Sequence, residues 1–383
     1  MKLSFALPTV AIVTLALAAC VPNNAAATGT VDVSSTDTEC VLSATSAPSG
    51  HVVFSVTNDG SDVTEFYVLG SDGLRIVSEL ENIGPGTTRD LVVTVPAGQY
   101  LTSCKPGMLG DGIRAPFTVT DSGTPVTPSG ERGEQLQAAA DQYLLYVRDQ
   151  IQSLEAETEA FVDAYTAGDD DLARELYTDA RVHWERIEPV AESFGDLDPS
   201  MDAREAGLGE GEQWTGWHHM EKDLWPPAEG YSLDSDERAA LAAQLLSDTE
   251  ELASRVTAAD FSVDAFQVGN GAKELLDEVA AGKITGEEEI WSHTDLWDFQ
   301  ANVDGALVAF EVLRPIIEGT DPELAEELTT RFDDLNGLLA QYGSIEDGFV
   351  YYNELTPEQV LELARAVDAL AEPLSRLTAA AVL

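Results

Sequence analysis

Residues 136–161, LQAAADQYLLYVRDQIQSLEAETEAF, decide the reading of most of this chain. Leu136, Tyr143, Val147, Ile151, Leu154 and Phe161 recur at spacings of three, four or seven. That period lays one apolar stripe along a helix and leaves the charged residues on its other face. Working outward, helical patterns also fit Asp170 to Phe194, Ser235–Thr257, Val263–Ala281, His293–Leu313, Pro322–Tyr342 and Pro357–Ala380. Pro189 should kink or end the first of these. Long helices joined by short connections predict an all-α bundle over residues 131–383.

Upstream the pattern changes. Val52-Val53-Phe54-Ser55-Val56 is followed by the turn signal Asn58-Asp59-Gly60, and Phe66-Tyr67-Val68-Leu69 by Asp72-Gly73. Leu91-Val92-Val93-Thr94-Val95 runs into Pro96-Ala97-Gly98, and Phe117-Thr118-Val119 closes the set. Short strands punctuated at regular intervals predict a β-sandwich, here within residues 21–121. Residues 122–130, Ser-Gly-Thr-Pro-Val-Thr-Pro-Ser-Gly, read as a linker. Two domains suit a chain of 383 residues.

The first 20 residues read as an export leader. Lys2 precedes an apolar run from Leu3 to Ala19 that is too short to span and ends in small residues. Leu17-Ala18-Ala19-Cys20 resembles a bacterial lipobox, which implies lipidation of Cys20 and a flexible tether after it. With Cys20 taken, Cys40 and Cys104 are the remaining cysteines, and an oxidising compartment favours a disulfide between them. The alternative is thiolate ligation of a metal. The formal charge of −49, from 69 acidic against 20 basic residues, excludes nucleic acid as a partner. It also concentrates cations around the protein, although most of these carboxylates should be solvated surface.

Chemistry concentrates in Gly216-Trp217-His218-His219-Met220-Glu221 and His183-Trp184-Glu185-Arg186-Ile187-Glu188. If both segments are helical, His218 with Glu221 and Glu185 with Glu188 each share a face. Carboxylates brought together repel unless they take up protons or hold a cation. The two pairs therefore predict a metal site between facing helices. His219 is turned about 100° from His218 and should face outward or support the site. His293, with Asp295 and Asp298, reads as a helix-capping and core cluster or as a ligand group, the structural role being favoured, and Trp184, Trp214, Trp217 and Trp225 read as packing around the site.

Three stretches carry a family resemblance: Arg186 to Asp198, Trp214 to Trp225, and Lys283 to Phe299. Weaker support comes from Glu65, from Glu79-Leu-Glu-Asn-Ile-Gly-Pro-Gly86 and from Cys104. The chain resembles the EfeO family, extracytoplasmic components of a bacterial iron-uptake system. That family joins a cupredoxin-like domain to an imelysin-like (M75) domain. The resemblance implies that His218 and Glu221 occupy a Gly-x-His-x-x-Glu metal motif. Glu185, Glu188 and Asp202 would complete the site, with Glu278 as a weaker carry-over. Iron, ferrous or ferric, is the implied cargo; carboxylates with one imidazole also suit zinc, and copper enters by family likeness. A second metal site in the N-terminal domain would use Glu65, Glu79, Glu81 and Met108. A blue-copper centre is not expected, because His51 is the lone histidine of that region. The implied partners are a membrane iron permease and a secreted haem peroxidase, with the protein held to the membrane by its lipid.

Two other functions compete. The M75 grouping carries a peptidase label, but a helical zinc peptidase ordinarily shows His-Glu-x-x-His, and His218-His219-Met220-Glu221 lacks that arrangement. The other is a lipoprotein that binds a siderophore or an anionic polymer through a bridging metal.

Overall fold

The computed structural model describes residues 30–382, apart from 72, 74–75, 109–111, 124–129, 192, 195, 209–210, 212, 228–230 and 260. The leader, Cys20 and most of the linker therefore lie outside the described residues. The N-terminal strands are β1 (Thr30–Ser35), β2 (Cys40–Leu42), β3 (Ser46–Pro48), β4 (Gly50–Asn58), β5 (Thr64–Gly70), β6 (Ile76–Ile83), β7 (Thr88–Val95), β8 (Gly98–Pro106) and β9 (Ile113–Thr120). They form two sheets, ordered β2-β1-β4-β7 and β3-β9-β8-β5-β6. Pairs β1/β4 and β3/β9 run parallel and the remaining neighbours antiparallel.

Alternation along β4 buries Val52, Phe54 and Val56 while leaving the intervening residues half-buried. Phe54 meets Phe66 and Phe117 from the other sheet, each with ring centroids 5.2 Å apart. Cys40 on the first sheet is bridged to Cys104 on the second. Strand β5 is buried along its whole length. Its outward-facing Glu65 and Tyr67 are buried as well, and Arg204 of the helical region is among the charges acting on Glu65.

The helices are α1 (Glu131–Ala167), α2 (Asp170–Glu185), α3 (Glu188–Ala191), α4 (Asp198–Met201), α5 (Trp217–Leu224), α6 (Ser235–Thr257), α7 (Ala265–Ala281), α8 (Asp295–Thr320), α9 (Pro322–Leu339), α10 (Pro357–Leu374) and α11 (Leu377–Val382). Asp234, Asp264 and Thr356 start their helices with capping boxes, each paired with Glu or Gln three residues on. Helix α8 runs through Pro315 to Thr320, well past the predicted stop at Leu313. The last helix divides at residues 375–376 into α10 and α11.

The segment Asp170 to Phe194 is broken rather than continuous, so Glu185 and Glu188 do not share one helix face. Pro189 has no N–H to offer the Glu185 carbonyl four residues back, and its ring crowds that carbonyl. Helix α2 ends at Glu185, and the amide of Asn302 on α8 donates to the released carbonyl at 2.8 Å. The break aims both carboxylates at α8 instead of stacking them. Helix α7 packs on β6 and β7, where Asn270 Nδ2 donates to Thr94 O at 3.1 Å. The two regions are therefore in direct contact.

Candidate metal centre

The histidine motif is positioned by its glycine. Gly216 sits at φ 83°, and a Cβ there would lie 2.0 Å from the Met201 carbonyl oxygen. Only glycine lets the start of α5 close against the end of α4. That approach brings Asp202 to His218, with Asp202 Oδ1 3.4 Å from His218 Nε2. Glu288 Oε1 is also 3.4 Å from Nε2. On the other side of the ring, Glu221 Oε2 lies 3.3 Å and Glu289 Oε1 3.9 Å from Nδ1. His218, Glu221 and Glu289 are fully buried. Both nitrogens thus face a carboxylate pair, and Nε2 makes no well-formed hydrogen bond.

Three triads bring one ligand atom per residue within 4.8 Å of one another: Asp202, His218 and Glu288; His218, Glu221 and Glu289; Glu185, Glu188 and Asp202. Each could hold a cation. Glu221 Oε1 accepts from Trp291 N at 2.9 Å and Ser292 N at 2.8 Å, which leaves Oε2 directed at the imidazole. Trp184 Nε1 donates to Asp202 Oδ2 at 2.8 Å, and Tyr177 OH to Glu289 Oε1 at 2.9 Å. The aromatic wall therefore orients ligand atoms as well as filling space.

Two buried cations hold these carboxylates together. Arg181 forms ion pairs with Glu185 Oε1 and Glu289 Oε1 at 2.7 Å each, and donates hydrogen bonds to Glu288 Oε1 at 3.1 Å and to Asp202. Lys283 Nζ lies 3.0 Å from Glu185 Oε2 and 3.3 Å from Glu188 Oε2. Asn302 Nδ2 joins the same two carboxylates at 3.1 and 2.9 Å. Unpaired buried charge is costly, so these groups keep the cluster folded when no metal is bound.

The network polarises its members. Burial and Arg181 oppose a charge on His218, but Glu221, Glu288 and Asp202 outweigh them and raise its pKa to about 10. A metal must therefore displace a proton from the ring. Burial and then Glu221 push Glu289 well above the usual carboxylate range. Burial works against Glu288 too, yet Lys283 and Arg204 hold it well below that range. Burial and Glu185 push Glu188 up.

Glu278 stands apart from the triads. It is buried on α7, and the charges acting on it are Glu81, Glu188, Lys283 and Glu79, which places it between this centre and the β region. Glu65 is held by Tyr67 OH at 2.8 Å and by Lys105 at 3.3 Å. Glu79 is buried, and Glu81 pairs with Arg204 at 3.3 Å. Met108 occupies a turn after β8 at φ 59°. Among the described residues, these N-terminal positions do not form a triad of the kind found around His218. The sulfurs of Cys40 and Cys104 are bonded to each other rather than offered as thiolates. His219 stacks on Trp214 at 4.4 Å and bonds its carbonyl at 3.0 Å.

Sequence reasoning missed Glu288 and Glu289 as ligand candidates, and Arg181 and Lys283 as their counterions. In the run Glu287-Glu288-Glu289 the first is exposed and the other two buried. The available signal was Lys283, a lysine in a markedly acidic neighbourhood.

Fold and site together define a class: a cupredoxin-like β-sandwich joined to an imelysin-type helical bundle with a buried imidazole–carboxylate centre. Residues 139–377 match the Imelysin (peptidase M75) family model and residues 9–119 the cupredoxin-like domain model. The chain is 37% identical over 350 residues to the iron uptake system component EfeO of Yersinia pestis, covering 91% of this chain and 90% of that protein. It is 35% identical to EfeO of Escherichia coli strain K12 over 357 residues, 92% of each. The chain belongs to the EfeO family of iron uptake system components.

Proposed function

We propose that the protein captures iron outside the cell membrane at the His218 centre and hands it to a membrane permease. The observation that carries this reading is a fully buried imidazole with both ring nitrogens facing carboxylate pairs. His218, Glu221, Asp202, Glu288 and Glu289 offer the hard oxygen donors that iron favours, with one borderline nitrogen. Glu185 and Glu188 extend the acidic wall, and Glu278 leads toward it from the β region. An incoming cation would draw carboxylates away from Arg181 and Lys283, so loading and release exchange one set of cations for another.

Residues 21–121 and 131–383 act as the two domains, joined by residues 122–130. Cys20 carries the lipid, and the Cys40–Cys104 bridge suits an oxidising, extracytoplasmic setting. Among the described residues no helix is long and apolar enough to cross a membrane. A secreted haem peroxidase is the second protein partner. Glu65, Glu79, Glu81 and Met108 are the positions of a second, weaker metal site in the β region. Capture rather than peptide hydrolysis is favoured because His218-His219-Met220-Glu221 lacks the second, one-turn-removed histidine of His-Glu-x-x-His.

Equilibrium dialysis with elemental analysis tests this. The chain without residues 1–20 and its His218→Ala/Glu221→Ala variant are each offered ferrous iron, ferric citrate, zinc and copper. The parent should prefer iron, and the variant should lose affinity by more than about a hundredfold, beyond what loss of supporting partners alone costs. Iron binding retained in a folded variant would move the site elsewhere; zinc preferred over iron would return the peptidase reading.

A further inference from the structure

The ligand candidates around His218 all belong to the helical region, yet one of them is held from the β region. Arg204 stands between α4 and α5 with its side chain mostly buried. Its Nη1 lies 3.1 Å from Glu288 Oε2, and its Nη2 3.3 Å from Glu81 Oε2 on β6. The other oxygen of Glu288 faces His218 Nε2 at 3.4 Å and Arg181 at 3.1 Å. A continuous chain of charged contacts thus runs Glu81–Arg204–Glu288–His218, crossing from one region to the other.

Glu288 needs such a restraint. It lies in an irregular segment between the short helical turn Lys283–Thr285 and α8, with exposed Glu287 before it and buried Glu289 after it. Arg181 on α2 and His218 on α5 meet its Oε1, and Arg204 holds its Oε2. The planar guanidinium fork of Arg204 can hold two carboxylates at once, which a lysine could not do with the same geometry. Glu81 is in turn fixed by its strand, and Arg89 Nη1 donates to its carbonyl at 2.9 Å.

A second, independent feature marks the contact. Gly282 has φ −109°, a conformation open to any residue, so its backbone does not call for glycine. A Cβ there would instead lie 3.1 Å from Arg204 Nη1 and 3.3 Å from Glu288 Oε2. The glycine leaves room for this ion pair.

We propose that Arg204 is a positioning residue that carries Glu81 of the β region into the metal centre, so that the β region sets the affinity of a site whose ligands lie in the helical region. This inference rests on the reading of the His218 centre as an iron site. Docking of the two regions and metal occupancy are then linked, each strengthening the other by the same factor.

The test is a double-mutant cycle on the two-region chain, read by equilibrium dialysis against ferrous iron under argon and against ferric citrate. Glu81→Ala and Arg204→Gln should each weaken binding about tenfold at unchanged stoichiometry, the scale of a lost hydrogen bond to a charged group. The double variant should be no weaker than Arg204→Gln alone, because both substitutions break one chain of contacts. Glu81→Gln keeps an acceptor for the guanidinium and should recover much of the loss, which a purely structural effect of residue 81 would not produce. Glu81→Ala binding within twofold of the parent overturns the inference, as does full additivity in the double variant. Should Arg204→Gln fail to fold, the Glu81→Ala and Glu81→Gln pair decides alone. A parent that binds no iron, or a His218→Ala/Glu221→Ala variant that still does, removes the iron reading itself, an outcome the cycle distinguishes from failure of the coupling.

Discussion

Phe54, Phe66 and Phe117 in the β region and Arg181, His218 and Lys283 in the helical region are almost equally inaccessible to water. The first three stabilise by leaving water, and each aromatic side chain so buried contributes on the order of 2 kcal/mol. Their sheets are also stapled across the sandwich by Cys40–Cys104. The second three sit among buried carboxylates and gain only what their partners return. An ion cluster of this kind is weak as a source of stability, and well-packed apolar residues often do as well or better. On the proposed function, what the cluster gives in return is a place for a cation. One interior is apolar and cross-linked; the other gives part of its volume to buried ionic groups.

Removing a buried counterion should break that contrast most severely. Arg181→Met leaves Glu185, Asp202, Glu288 and Glu289 without their common partner, and up to about 5 kcal/mol of stability should go with it. Urea unfolding followed by far-ultraviolet circular dichroism measures the loss. A bound divalent cation should return part of it by mass action, since the cation then supplies the missing positive charge. A variant as stable as the parent without metal would show that Arg181 is not what balances the cluster.

Breaking the staple sharpens the comparison from the other side. Cys40→Ser/Cys104→Ser opens a loop with a sequence separation of 64 residues, worth about 4 kcal/mol on the chain-entropy model. Differential scanning calorimetry should show the transition of the β region falling and that of the helical region holding its place. A single transition that drops as a whole would mean the α7 contact with β6 and β7 makes one cooperative unit of both regions.

How much of this was legible in the sequence follows the range of the interactions. Local signals read well: the start and end of α6 at Ser235 and Thr257 agree with prediction, and the capping boxes at Asp234, Asp264 and Thr356 mark helix starts in residue types alone. The stop imposed by Pro189 was visible, but not that Asn302, more than a hundred residues later, would take up the freed carbonyl. The histidine motif stood out because its spacing is helical and local. Glu288 and Glu289 did not, since burial decides whether adjacent glutamates are ligands or solvated surface, and burial is a property of the whole fold. Arg204 was hidden for the same reason, with one partner on β6 and the other beyond α7.

The smallest expected effect lies at the seam between the regions. Glu274 on α7 is buried; it accepts from Ser78 and from the Glu79 amide, while its Oε1 has no hydrogen-bond partner. Burial pushes its pKa up to about 7 against an ordinary 4.5. The folded state therefore binds this proton more tightly than the unfolded chain. Its stabilising contribution is complete below pH ~4.5, is lost as pH rises toward ~7, and is flat above that. The total is about 3 kcal/mol if the site stays dry, at 1.36 kcal/mol for each unit of difference between the two states. Glu274→Gln keeps the shape and cannot ionise, so it should match the parent near pH 4 and exceed it near pH 8. Asp198, also raised to about 7 by burial and then by Asp202 and Glu81, should leave the variant with a residual slope of the same sign. Chemical denaturation at half-unit steps from pH 4 to 8 reads both curves. Parallel curves for parent and variant would show that Glu274 reaches water through the seam, and that the two regions meet less tightly than α7 and β6 suggest.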